Sequence, residues 1–117
     1  MNQGIYNSWQ LIKAPLTCRQ SMLKKIRLIF RDTGRVNVYD TANSASYMFT
    51  NELHTITTIE GEWTQRCRIW ETKDERKEAE ILNKFIRSLL SDGFQYALQD
   101  NTLIVHYQGE EYNFTTY

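Results

Sequence analysis

The side chains able to do chemistry in this 117-residue chain are few: two histidines, His54 and His106, two cysteines, Cys18 and Cys67, and some paired acids. A general base needs a substrate pocket and a positioned partner. His54 stands two residues from Glu52, which on a strand gives only same-face proximity. His106 shares a face with Ile104 and opposes Val105. Both read as rim or surface histidines, and neither lies in a His-Glu-x-x-His pattern. The cysteines have no further ligands at short spacing, so they make no zinc site. They could form one disulfide across 49 residues, worth about 3–4 kcal/mol in the chain-entropy model. The bond needs an exported protein, and buried, inert thiols are the commoner fate in a cytosolic one. Glu60 with Glu62, and Glu110 with Glu111, are acid pairs of the kind that turns leave solvated. A glycosidase needs carboxylates facing each other across a cleft. No Gly-rich phosphate loop is present, and Asn113-Phe-Thr115 fits the N-glycosylation tripeptide, which matters only on a secretory route. The expectation is a non-enzyme with no cofactor and no metal.

Surface chemistry is the other possibility. Arg19, Lys24, Lys25, Arg27, Arg31 and Arg35 form a basic run, and Arg27, Arg31 and Arg35 would share the outer region of one hairpin. With Tyr39 and Tyr47 this suggests a nucleic-acid surface of the oligonucleotide-binding type. The whole chain argues against it, because 14 basic residues balance 14 acidic ones and leave no global pull on a polyanion. Residues 1–70 carry nine basic and five acidic side chains, and residues 71–117 the reverse. That asymmetry is either an internal match between packed halves or a partner surface. Trp63 and Trp70 fall where no periodicity claims them. If exposed, they are the natural interaction anchors, since tryptophan dominates interface hot spots.

The elements that must position these groups are legible from their periods. Ile5 to Lys13 alternates as a strand, with Asn7 as its polar exception. Residues 14–23, with Pro15, Thr17 and Ser21, read as a loop. Ile26, Leu28 and Phe30, the turn Asp32-Thr33-Gly34, then Val36 and Val38 make a hairpin. Residues 40–46 suit a bend, Tyr47-Met48-Phe49 a short strand and Leu53 to Ile59 another. The stretch through Gly61, Trp63 and Cys67 is less regular. Thr72 and Glu75 have capping-box spacing. Apolar residues at 79, 82, 85, 86 and 89, widened by Ile81 and Leu90, give an amphipathic helix over about 74–91, stopped at Gly93. Three alternating segments close the chain, around Tyr96, Val105 and Tyr112, with short connections that force an antiparallel meander. The fold class is α+β and mainly antiparallel β: about seven strands in a curled sheet or partial barrel, one helix packed on it, in a single domain over 1–117. The longest apolar run, Leu28-Ile29-Phe30, is far too short to span a membrane, and Met1 to Gln10 lacks a signal peptide's apolar stretch.

The order of these features resembles the META domain family, which includes HslJ-type bacterial heat-shock proteins. The residues that carry the resemblance are Ser8-Trp9-Gln10-Leu11, Ile26 to Phe30, Gly34, Thr64-x-x-Cys67, the helix with Glu78, Phe85 and Leu89, Tyr96-Ala97-Leu98, Asn101-Thr102-Leu103 and the Gly109 hairpin into Phe114. The sequence departs from the family where Gly-Cys-Asn is usual, since Thr41-Ala42-Asn43 keeps only the asparagine. The resemblance implies a compact β domain, often in envelope proteins or lipoproteins, loosely linked to stress tolerance and motility, with no established enzymatic activity. The expected function is binding of another protein or an envelope component. The alternative is a lipocalin-like carrier of a small apolar ligand, which needs an open interior of roughly 300 Å³ or more. The compartment is the envelope or periplasm if a leader precedes this sequence, and the cytoplasm if Met1 is native.

Overall fold

The computed structural model describes residues 4–117. Met1 and the two residues after it lie outside the described residues, as does the side chain of Glu60. Eight antiparallel strands close into a barrel in simple sequence order. They are β1 (Ser8–Lys13), β2 (Arg27–Phe30), β3 (Arg35–Tyr39), β4 (Ser44–Glu52), β5 (Thr55–Trp63), β6 (Phe94–Gln99), β7 (Thr102–Tyr107) and β8 (Glu110–Thr116). A short helix α1 (Gln20–Leu23) follows β1, and a long one, α2 (Lys73–Asp92), joins β5 to β6. Closure comes from β1 against β8, with Trp9 opposite Thr116 and Leu11 opposite Phe114.

Three expectations are corrected. The sheet has eight strands and closes fully, because the segment around Tyr47 is a nine-residue strand and β5 continues through Gly61 to Trp63. A bulge between Ser46 and Met48 absorbs the irregular stretch that hid this pairing. Second, residues 20–23 form one helical turn instead of loop, and it buries Met22 and Leu23. Third, Ile81 lies at the rim of α2 and is exposed, so it does not widen the buried stripe.

The hairpin through Gly34 forms as expected, with Leu28 opposite Val38 and Phe30 opposite Val36. Gly34 has φ +88, a conformation that side chains with a Cβ resist. The β4–β5 turn is different. Leu53 and His54 have φ 50 and 57, the double left-handed geometry that usually takes Asn-Gly.

Thr72 caps α2 by accepting the Glu75 N–H at 3.1 Å, and Asp74 and Glu75 stand in its first turn, where the helix dipole favours them. Leu82, Ile86 and Leu89 have no exposure, Phe85 almost none, and all four join one core with the barrel's inward residues Leu11, Leu28, Val36, Val105 and Phe114. The Phe85 ring stacks on Tyr112 at 4.3 Å. The helix also bridges the thinnest joint in the wall. Among the described residues, β5 and β6 are in register at Thr55–Gln95 and Ile56–Phe94, with the Tyr96 N–H donating to the His54 carbonyl at 3.0 Å just beyond. Beyond them the Thr58 hydroxyl bonds the Leu90 carbonyl.

Candidate functional site

The outer wall of β2–β5 is built by alternation. Inward residues Leu28, Val36, Val38 and Tyr47 are buried, so Arg27, Arg35, Tyr39, Ser46 and Met48 point outward. Cross-strand registry then sets their neighbours. Arg27 stands opposite Tyr39, and Arg35 opposite Met48. Met48 in turn faces Ile59. Arg31, just past β2, is exposed beside them, its N–H donating to the Arg35 carbonyl at 2.8 Å. The three arginines singled out from sequence therefore do share one outer face. Alternation of the sequence did not reveal the apolar pair within it: Met48 is 48% and Ile59 63% exposed. The signal was the period itself, once β4 is known to run to Glu52. The Arg35 guanidinium reaches the Ser46 hydroxyl at 3.5 Å, and Arg27 lies over the Tyr117 ring at 5.2 Å.

Trp63 and Trp70 are placed otherwise than as open anchors. Both are half-buried and pack against the core. The Trp63 indole N–H donates to the Tyr47 hydroxyl at 2.6 Å, and Arg87 covers its ring at 4.3 Å. Arg68 covers Trp70 at 4.2 Å. Each indole thus presents a guanidinium, not an apolar face.

These arginines belong to a polar joint at the β3–β4 turn. Asp40 is buried, and its Oδ1 accepts the N–H groups of Ala42 and Asn43, at 2.8 and 2.5 Å. Asn43 ties the turn to the segment after β5. Its Oδ1 accepts the Thr64 hydroxyl at 2.9 Å and the Arg66 N–H at 2.6 Å, while its Nδ2 donates to the Arg66 carbonyl at 3.2 Å. Arg68 donates to the Thr41 carbonyl at 3.2 Å, and the Thr41 hydroxyl donates to Asn83 on α2 at 3.0 Å. A hollow of about 300 Å³ opens here, lined by residues 39–44 with Thr64, Arg66 and Arg68. A second of about 350 Å³ adjoins it, sharing Tyr39, Ser44 and Thr64 and adding Glu62.

The nucleophile and base candidates are dispersed. Cys18 and Cys67 are both free thiols, so the bridge their spacing allows is not formed in this structure. Burial, and secondarily Glu78, raises the Cys18 thiol, which keeps it protonated and unreactive. It borders an open groove of about 680 Å³ between residues 16–19 and the start of α2. His106 lies 3.8 Å from Glu111, its cross-strand neighbour, and His54 stacks on Tyr96 at 5.1 Å. Another open groove, about 690 Å³, follows the β5–β6 joint. There the buried Tyr107 phenol donates to Asp92, and burial, reinforced by that carboxylate, pushes it up to about 12. Among the described residues, no group of three His, Cys, Asp or Glu is placed to hold a metal. No helix among them is long and apolar enough to cross a membrane.

No family model matches this sequence, and no curated protein does. Solved structures do share its shape. An NMR structure of one protein, 14% identical, superposes with a TM-score of 0.69 over 97% of this chain and 92% of that one. The NMR structure of a protein from Burkholderia xenovorans, 12% identical, gives 0.68 over 96% and 82%. At such identities the likeness establishes the barrel and nothing about its use.

Proposed function

We propose that this domain works by binding rather than catalysis, and that it engages an acidic protein or envelope component through the outer wall of β2–β5. The observation that carries this is the exposed Met48–Ile59 pair, set in registry beside Arg35 on a wall that also bears Arg27, Arg31 and Tyr39. Apolar contact rimmed by cations is the usual anatomy of an interface: the apolar centre gives affinity, and the charged rim sets approach and partner choice. The META-type resemblance fits this reading, since the order it was drawn on, strands then one long helix then a three-strand meander, is the order of the fold. The carrier alternative has less behind it, because the apolar face of α2 is packed into the barrel core.

The test is capture of partners by immobilised chain, wild type against a Met48→Glu/Ile59→Glu variant. Both positions are exposed, so the variant loses no buried contact, and circular dichroism checks that the two facing glutamates leave the fold intact. Retention should weaken on the order of tenfold or more in the variant, and should fall with salt in the wild type. An identical set of retained molecules from both chains would sink the proposal.

A further inference from the structure

We infer that the hollow beside Asn43 binds a phosphate-type oxyanion, gripped by the guanidinium groups of Arg66 and Arg68 with the hydroxyls of Tyr39 and Ser44. It rests on the reading above in taking the partner as acidic, and names the group it would present.

Two cations line this hollow, and they are set differently. Arg68 is fixed at the rim by its bond to the Thr41 carbonyl and by its stack on Trp70, at 3.2 and 4.2 Å. A guanidinium has five N–H donors, so one such bond leaves others for a ligand. Arg66 is held by its backbone, between the two ends of the Asn43 amide. Its exposed guanidinium has no partner among the described residues. The Thr64 hydroxyl is already committed, donating to Asn43 and accepting the Ser44 N–H at 3.1 Å. Among the described residues, the hydroxyls of Tyr39 and Ser44 make no bond of their own and remain available.

The one acid lining the hollow is offset. Asp40 has Oδ1 taken by two N–H groups, and its Oδ2 faces Arg87 at 3.6 Å from a side chain with no exposure. Glu62 belongs to the adjoining depression. The hollow therefore carries net positive charge, and the guanidinium groups of Arg66 and Arg68 line it with donors to spare. With the hydroxyls of Tyr39 and Ser44, the donors come from two chain segments. A tetrahedral anion can accept from several directions, whereas a planar carboxylate is best matched by one in-plane guanidinium.

The experiment is an amide-resolved NMR titration with inorganic phosphate, methyl phosphate and acetate, against sodium chloride at matched ionic strength. Saturable shifts confined to residues 39–44 and 64–68 are expected from both phosphates. Arg66→Gln, whose side chain supports nothing in the fold, should weaken binding on the order of tenfold, and Lys84→Gln on α2 should leave it unchanged. A second arm uses phosphatidylcholine vesicles with and without phosphatidic acid. Arg66-dependent binding to the charged vesicles alone would place the oxyanion on a lipid headgroup, and binding to soluble methyl phosphate would place it on a free ester. Equal binding of acetate, no saturation with any phosphate source, or an Arg66→Gln variant that binds normally would overturn the inference. If the titration fails while Met48→Glu/Ile59→Glu still abolishes capture, only the oxyanion site falls. The converse result removes the outer wall and leaves the hollow.

Discussion

Arg87 reaches from α2 to within 3.6 Å of the Asp40 carboxylate, whose side chain has no solvent exposure while that of Arg87 is 44% exposed. The helix is therefore fastened to the β3–β4 turn by a cation set against a fully desolvated anion. Removing only the cation strands a buried charge, which costs more than the pair itself contributes. Arg87→Met should destabilise the fold by about 1–3 kcal/mol. Asp40→Asn in the same background should recover part of that loss. A double-mutant cycle from urea unfolding reads the coupling, and strict additivity would show that the pair does not interact.

A second charged contact fixes α1 to α2. The Glu78 carboxylate accepts the Arg19 Nε–H at 2.9 Å, and an Arg19 Nη at 2.8 Å. It also accepts the Arg19 backbone N–H, at 2.5 Å. The Arg19 side-chain bond first, and the backbone bond second, hold this carboxyl below its ordinary value. A depressed acid stabilises the fold above its unfolded pKa, and that contribution is lost as pH falls through the folded value. Wild-type stability should thus decline on the acid side of the glutamate range. Glu78→Gln should flatten that decline in unfolding curves taken across pH. An unchanged acid limb would refute the assignment.

Gly93 ends α2 with φ +79, and a Cβ there would lie 2.6 Å from the Ile56 carbonyl oxygen. Both the conformation and the space exclude a side chain. Gly93→Ala should cost more than the ~1 kcal/mol typical of a left-handed position alone. The loss should appear as a lowered Tm, with faster amide exchange at Thr55 and Ile56, where β5 meets β6.

The Leu53–His54 turn makes the opposite prediction. Leu53 is 99% exposed at φ 50, so it accepts backbone strain without any packing in return. Leu53→Asn suits the left-handed geometry and should stabilise by about 0.5–1 kcal/mol. A lower urea midpoint would contradict this, and would point to a role for the leucine in the native state.

That turn also shows where the sequence was opaque. Strands with strict alternation and Gly-bearing turns, as through Gly34 and Gly109, were legible, and so was α2 from Thr72 to Gly93. The β4–β5 hairpin is the longest in the fold, yet its turn has neither Gly nor Asn, and its bulge near Gly61 breaks the period. Its length was hidden for those two reasons. The site divides in the same way. The shared face of Arg27, Arg31 and Arg35 follows from period two. The covering of Trp63 by Arg87, 24 residues on, and the anchoring of Arg66 by Asn43, 23 residues back, are long-range contacts that carry no local pattern, while Arg68 covers Trp70 from two residues away in a segment without a regular period. Asn43 makes three long-range bonds, which tie the β3–β4 turn to the segment after β5.

The strand order has a consequence for how the chain finds this shape. Every strand pairs with its immediate successor, and two pairings join distant parts of the sequence: β1 with β8, and β5 with β6 across α2. Most rungs can therefore form by zipping one hairpin onto the last, each at the small entropic cost of a short loop. Two steps stand apart. One is the lap of β8 over β1, which waits for all the others. The other is the two-rung joint at Thr55 and Ile56, which must wait for the 20 residues of α2 to wind and dock. A meander complete except at those two places would be two separate curved sheets, β1–β5 and β6–β8, and the slow stage of folding should be the one that joins them into a tube.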